Sequence, residues 1–581
     1  MYKNWRDIIS KPQYGIVTEK DIMVPVRDGV KLALDVYRPD SEGKFPALLA
    51  MGGYGKNLQD ELIPPQPLKR SAVWDGNIEA GDTGEIVPRG YVHVIGDVRG
   101  IGASEGEYPG MWSSQEGRDG ADIVEWIAQQ PWCDGNVGMI GYSYYGGIQL
   151  KVAIEQPPHL KAIFVSHIAS DAYRDLLYKG GVLGLFFYGL WDGRHGTSGY
   201  APKNAVSKMQ QSMSPEDFKK LQDEIVSDPD IKYYPNLYHL ARYPYKNPPF
   251  FDYMANPFDG PKWRDKSIYP FFDKIKVPTF VMGKIGGDWS SYFDVYEGID
   301  CTKRLWAKFH GAEERPWRED MEYILAWHDY WLKGVENGIM DEPVAKVFMS
   351  GANEYRYLDK WPVEAEKTDY TKVYLRRWES LSFQPELYQP DPDCYLQMPL
   401  HLSTKRDKVK YVSPPLPAGV EVMGRASINF FASIDTDEAY WIARLYDVAP
   451  DGSEFRLSTG YLKASHRTVD PDKSTPQRPY HPHLEKEPVE PGVVYQYNIS
   501  LNNLTHVYKP GHRIKLEIES MESARDPEMQ IHYHPILNSS RTTLHKIYRN
   551  REYQSHLILP ITAGKDAVME VMSDENFQGG V

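Results

Sequence analysis

"GMIGYSYYGG" (residues 138–147) decides how this chain is read. A short apolar run ends at Gly141, Ser143 follows, and a glycine pair stands at 146 and 147. Small residues around a serine let a strand turn sharply into a helix. Such a turn is either a plain βα corner or a device that lifts Ser143 out of a sheet as a nucleophile. The spacing is G-x-S-x-x-G rather than G-x-S-x-G, so the motif alone leaves both readings open.

The surroundings favour a parallel sheet. "DIMVPVRDGVKLALDVYRP" (21–39) holds two strand-like runs joined at Arg27-Asp28-Gly29, a hairpin signal. "FPALLAM" (45–51), "YVHVIGDV" (91–98) and "VGMIG" (137–141) are short apolar runs, as buried parallel strands are. Between them "QEGRDGADIVEWIAQQ" (115–130) places Ile123, Trp126 and Ile127 at helical spacing. Strand–helix–strand units of this length imply right-handed crossovers. From 171 to 270 the pattern turns to irregular helix rich in aromatics and proline, and "VPTFVMG" (277–283) then returns as a buried strand. The intervening stretch reads as an insertion between strands of one sheet. "REDMEYILAWHDYWLKG" (318–334) is an amphipathic helix closed by Gly334. Beyond 350 helical signals vanish. Alternating runs such as "ASINFFASI", "YWIARLYDV" and "HRIKLEIES" between turns read as an all-β sandwich.

With 581 residues, more than one core is expected. The division read from the pattern is 1–170 with 271–350 as one catalytic unit, 171–270 as a helical cap, and 351–581 as the β-domain. A formal charge of −14 with no basic stretch argues against a nucleic-acid partner. No apolar run of 18 residues and no N-terminal leader pattern is found, so no membrane partner is expected and a cytoplasmic location is the default. Three scattered cysteines without CxxC spacing indicate neither disulfides nor zinc. The pairs His481/His483 and His532/His534 would each share one face of a strand, a geometry metals can use. No acidic or cysteine partner stands at ligand spacing, so no metal and no cofactor is expected. "DTDE" (435–438) lacks the remainder of a calcium loop.

Serine chemistry needs a base and an acid to orient it, in the chain order Ser, Asp or Glu, His for a hydrolase of this topology. Downstream of "VPTFVMG", "KIGGDWSSY" offers Asp288, and "KRLWAKFHGAEERPW" offers His310 just past another apolar run. Asp294 is an alternative acid. His328 is an alternative base, although a mid-helix position suits packing better.

At this point the sequence resembles the cocaine esterase-like hydrolases, with α-amino-acid ester hydrolases, glutaryl acylases and X-Pro dipeptidyl-peptidases as relatives. The resemblance rests on "DGVKLALDVYRP" (28–39), "PALLAMGGYGK" (46–56), "DVRGIGASEGEY" (97–108), "EGRDGADIVEWIAQQPWCDGNVGMIGYSYYGG" (116–147), "DYWLKGVENGIMDEPV" (329–344), "GHRIKLEI" (511–518) and "SHLILP" (555–560). It implies an α/β fold: an α/β-hydrolase core with an inserted helical cap, followed by an all-β jelly-roll domain. It also implies an oxyanion hole made of the Tyr54 hydroxyl and the Tyr144 backbone N–H. Two departures stand out: the acid lies in "GGDW" rather than G-W-x-D, and Phe309 directly precedes His310.

The expected activity is a serine esterase working through an acyl-enzyme on a small-molecule ester. The Trp289-Ser290-Ser291 sequence after Asp288 lacks the carboxylates by which relatives select a free amine, so a neutral or aromatic acyl group is favoured. Tyr145, Phe186, Phe187, Tyr188, Trp191 and Trp289 are candidates for lining the pocket. An amidase, acylase or X-Pro-type peptidase with the same triad stays open, as does an inert binding protein using the β-domain. A homodimer is left open too.

Overall fold

The computed structural model describes residues 5–59, 78–184, 201–285, 291–309, 320–389, 391–399, 401–522 and 541–571. Two sheets organise it. The first has ten strands: β1 (Ile16–Pro25), β2 (Lys31–Pro39), β3 (Phe45–Gly52), β4 (Val92–Asp97), β5 (Cys133–Tyr142) and β6 (Leu160–Ser166) come before the insertion. The short hairpin β7 (Tyr178–Lys179) and β8 (Val182–Leu183) forms a separate pair. The sheet resumes with β9 (Thr279–Lys284), β10 (Lys303–Lys308), β11 (Ala345–Met349) and β12 (Glu354–Leu358).

The strand order is β1-β2-β4-β3-β5-β6-β9-β10-β11-β12. All neighbours from β4 to β11 run parallel, while β1, β2 and β12 cap the edges antiparallel. The apolar runs read from sequence are these central strands, buried on both faces as parallel strands must be. β9 pairs directly with β6, so residues 167–278 form an excursion between adjacent strands, as the returning apolar run predicted. The excursion carries helices Ala205–Ser212, Pro215–Ser227, Pro235–Arg242 and Pro248–Met254, three of them opened by proline at the first turn.

The second sheet has eleven strands between Asp369 and Ala563, antiparallel except for one parallel bridge, Ser380 to Val412. Its core is separate, built around residues such as Phe430, Trp441, Tyr497 and Leu516. A seam ties it to the first sheet just after β11. The Ser350 N–H donates to Thr505 O at 3.0 Å and the Val507 N–H to Ser350 O at 2.8 Å. Among the described residues no helix is long and apolar enough to cross a membrane.

The corner at 138–147 is where packing is tightest. β5 gives way directly to the helix Ser143–Ile154, and Ser143 sits at φ +52°, a left-handed conformation disfavoured for a side chain of its type. The two glycines answer to separate neighbours. A Cβ on Gly146 would lie 2.5 Å from the Ser166 carbonyl oxygen at the end of β6. One on Gly147 would lie 2.1 Å from the Trp112 indole, whose Nε1 donates to Tyr144 O at 3.0 Å. Glycine here is a packing requirement. Gly147→Ala should therefore cost about 1–3 kcal/mol through forced displacement of Trp112, read as a lower denaturant midpoint with an unchanged m-value.

Candidate active site

Ser143 lies at the C-terminal end of β5, the edge where open parallel sheets carry their sites. It is the single residue from 137 to 153 that is not fully buried. Strand pairing ends at Tyr142 opposite Ser166, and the next residue on each strand, Ser143 and His167, has φ near +50°. His167 Nδ1 stands 2.5 Å from Ser166 Oγ. Two strained residues therefore stand on neighbouring strands at one edge of the sheet, a pattern found at functional sites.

The backbone of the corner is held by the segment before β4. The Tyr142 N–H donates to Glu79 O at 3.1 Å, and the Tyr144 N–H donates to the Glu79 carboxylate, also at 3.1 Å. Gln59 Oε1 in turn accepts from the N–H groups of Glu79 and Ala80 at 2.8 and 3.1 Å. Glu79 is buried and thus fixed through both backbone groups and its side chain.

Below the corner lies a polar network. The Tyr144 hydroxyl donates to Glu116, and Tyr108 Oη is 3.0 Å from Tyr144 Oη. The same Glu116 carboxylate accepts the Ser113 N–H at 3.0 Å, closing the capping box of the helix Ser114–Ala128. Burial pushes the Glu116 carboxyl up to about 7, against the hydrogen bond from Tyr144 and the nearby Lys266 ammonium. Lys266 is itself pushed down to about 8 by burial, and its ammonium donates to Pro109 O at 2.7 Å.

Tyr54 packs edge-on to Tyr144, with ring centroids 5.5 Å apart, and its side chain is almost fully enclosed. Tyr145 is completely buried behind it, against Gly52, and its hydroxyl accepts or donates no hydrogen bond among the described residues. Asp97 and Glu79 both raise the Tyr145 phenol, after burial itself. Asp288, Trp289, His310, Phe186, Phe187, Tyr188 and Trp191 lie outside the described residues, as do His532 and His534. What is described are the strands that lead to them. β9 and β10 run parallel beside β6. At the end of β10, Lys308 Nζ reaches Asp320 at 2.7 Å, and Tyr142 Oη donates to the same carboxylate at 3.0 Å.

The alternatives are engaged elsewhere. Asp294, in the helix Tyr292–Gly298, pairs with Arg425 and, at 3.2 Å, with Arg478 of the β-domain. His328 is fully buried in the helix Met321–Lys333, with Nδ1 2.8 Å from Ile324 O and its ring against Gly138. Burial pushes it down to about 4, so it is a packed neutral histidine. His481 and His483 sit in a loop, so the shared face that a strand would give them does not arise. His481 has both ring nitrogens within 2.8 Å of backbone carbonyls, and His483 Nδ1 stands 3.0 Å from His466 Nδ1. Among the described residues no group of three or more His, Cys, Asp or Glu side chains is arranged to hold a metal ion.

A second Ser-His-Asp alignment occurs at the seam. Ser350 Oγ is 2.9 Å from His506 Nδ1, and His506 Nε2 is 3.1 Å from Asp447. These side chains are enclosed, and Ser350 Oγ also donates to Thr505 O at 3.1 Å. The alignment joins the two sheets and leaves its serine without the exposure that Ser143 has.

A serine strained at the exposed end of the fifth strand of such a sheet defines an α/β-hydrolase of the serine class. Comparison with known proteins agrees. The family model of the X-Pro dipeptidyl-peptidase (S15 family) matches residues 28–307, and that of the X-Pro dipeptidyl-peptidase C-terminal non-catalytic domain matches 337–558. The cocaine esterase of Rhodococcus sp. (strain MB1 Bresler) is 27% identical, over 93% of this chain and 98% of its own length. Among solved structures, a CocE/NonD family hydrolase from Staphylococcus aureus superposes with a TM-score of 0.73 at 22% identity, covering 94% of each chain. An α-amino acid ester hydrolase does so with a TM-score of 0.69 at 18% identity, covering 95% of this chain and 97% of its own. These two likenesses establish the fold. The chain is thus similar to the S15 peptidases over residues 28–307 and to their C-terminal domain over 337–558, and the resemblance carried by its motifs is borne out.

Two expected outcomes follow from the geometry. His328→Gln should retain hydrolytic turnover, measured as kcat on an activated ester, because the ring packs and does not react. Glu116 holds its proton in the native state up to about pH 7, whereas an unfolded glutamate loses it near pH 4.5. Its contribution is thus fully present below pH 4.5 and lost as the pH rises through 7. The Tm advantage of Glu116→Gln over the native chain should widen from pH 5 to pH 8; a constant gap would contradict the assignment.

Proposed function

We propose that the chain hydrolyses carboxylic esters through an acyl-enzyme, with Ser143 as nucleophile, His310 as its base and Asp288 as the acid that orients the base. The observation carrying this reading is the left-handed, partly exposed Ser143 at the C-terminal end of β5, within the segment that matches the S15 family model. Ser143 Oγ attacks the ester carbonyl carbon while His310 takes the hydroxyl proton. The tetrahedral oxyanion is held by the Tyr54 hydroxyl and the Tyr144 N–H, donors of the kind that supply much of the rate enhancement in acyl transfer. His310 then returns the proton to the leaving alkoxide. Water repeats the sequence on the acyl-enzyme and releases the acid.

The acyl pocket is assigned to Phe186, Phe187, Trp191 and Trp289, which suits a neutral or aromatic acyl group; Tyr145, expected to join them, is completely buried and packs behind Tyr54 instead. The proposed division places catalysis in residues 1–170 with 271–350, a cap in 171–270 and a jelly roll in 351–581. The ester assignment is supported by the Rhodococcus relative, named for its esterase activity, and an amidase or X-Pro-type peptidase is the alternative that the family name keeps in play.

A fluorophosphonate probe should label Ser143 and leave Ser350 unmodified, as mapped by peptide mass spectrometry. Ser143→Ala should abolish labelling and lower kcat on p-nitrophenyl acetate by about 10⁴-fold or more. An adduct on Ser350 with none on Ser143 would refute the assignment. Turnover of p-nitroacetanilide matching that of the acetate ester would move the reading from esterase to amidase.

A further inference from the structure

The Tyr144 N–H is already in use. In the resting protein it donates to the Glu79 carboxylate at 3.1 Å. An ester oxygen that becomes an oxyanion at Ser143 therefore meets a competitor for the same donor. This competitor is not a wandering surface side chain. Glu79 is 3% exposed, its N–H is held by Gln59 Oε1 at 2.8 Å, and its C=O accepts the Tyr142 N–H at 3.1 Å. Its N–H and C=O are both anchored, so the backbone that presents the carboxylate to the Tyr144 N–H is fixed in place.

Two physical consequences follow. A single oxyanion-hole donor is worth about 10²–10³ in kcat, so a donor shared with a carboxylate delivers only part of that. A carboxylate is also a stronger acceptor than a neutral carbonyl, because bonds to ionised groups are roughly twice as strong. The second consequence concerns charge. A buried carboxylate beside the acyl carbon repels any further negative charge there, and burial weakens the screening that water would provide.

Resting on the assignment of Ser143 and the Tyr144 N–H above, we propose that Glu79 is a specificity-determining residue of the acyl site. Its carboxylate occupies the Tyr144 N–H until the substrate carbonyl displaces it, and its charge excludes acyl groups that carry a carboxylate of their own. The substrate class selected is the uncharged acyl ester; half-esters of short dicarboxylic acids are rejected.

The test compares p-nitrophenyl butyrate with mono-p-nitrophenyl glutarate on the native chain, Glu79→Gln and Glu79→Asp. Rates are normalised to the fraction of Ser143 that a fluorophosphonate titrates, so that misfolded protein does not count. Glu79→Gln keeps the side chain's shape and loses its charge. It should raise kcat/KM on the butyrate about tenfold and on the half-ester about a hundredfold, so the preference for the neutral ester falls by about tenfold. Glu79→Asp keeps the charge and withdraws the reach, and should retain the discrimination. A preference unchanged in Glu79→Gln, or a tenfold loss of butyrate turnover in that variant, would overturn the proposal while leaving Ser143 as nucleophile. Failure of the native chain to take the probe would instead remove the hydrolase reading, and the role of Glu79 with it.

Discussion

The close approach of the helix Ser143–Ile154 to the end of β6 and to Trp112 is the constraint on which the rest depends. A parallel strand can feed a helix in few residues only if that helix packs back over the sheet at once. Here the contact is backbone against backbone on one side and backbone against an indole on the other, and it closes only where no Cβ intervenes. The strain that results is concentrated on Ser143, the residue left in the left-handed region and the one residue of the corner that reaches solvent. Packing and exposure are thus two aspects of one geometry, which is why a structural glycine pair and a candidate nucleophile share five residues.

Around that corner the protein builds with buried charge. Glu116 ties the start of one helix to the hydroxyl of Tyr144, Lys266 sits beside it, and Asp320 joins the ends of β5 and β10 through Tyr142 and Lys308. Each group has its partners, as buried ionisable groups must if the fold is to tolerate them. The result is a cradle whose strand ends are fixed relative to one another, the kind of support a precisely placed site draws on. The β-domain adds a second anchorage. Arg425 and Arg478 reach across to Asp294, and Thr505 and Val507 bracket Ser350.

Much of this was legible in the chain. The central strands are uninterrupted apolar runs because both faces are buried, and the Arg27-Asp28-Gly29 turn marks the β1–β2 hairpin. The return of an apolar strand at 277 exposed the insertion, since only a strand that rejoins the sheet needs that composition. The Ser113–Glu116 capping box could be read from its three-residue spacing, but its second duty, holding the Tyr144 hydroxyl, could not. The setting of His481 and His483 was not legible. An i, i+2 pair means a shared face only on a strand, and these lie in a loop whose carbonyls claim His481 on both sides.

By itself, the sequence determined the class of fold, the family resemblance and the candidate serine, because these follow from local patterns: apolar period, turn residues and a motif within ten positions. Only the tertiary structure decided what touches that serine's neighbours. Glu79 is 65 residues from Tyr144 in the chain and belongs to no motif, yet it takes the Tyr144 N–H that the proposed oxyanion hole would use. His328, the rival base whose mid-helix position suited packing better, is packed against Gly138 and neutral. Proximity across a sheet is set by strand order and crossover, which no local spacing encodes.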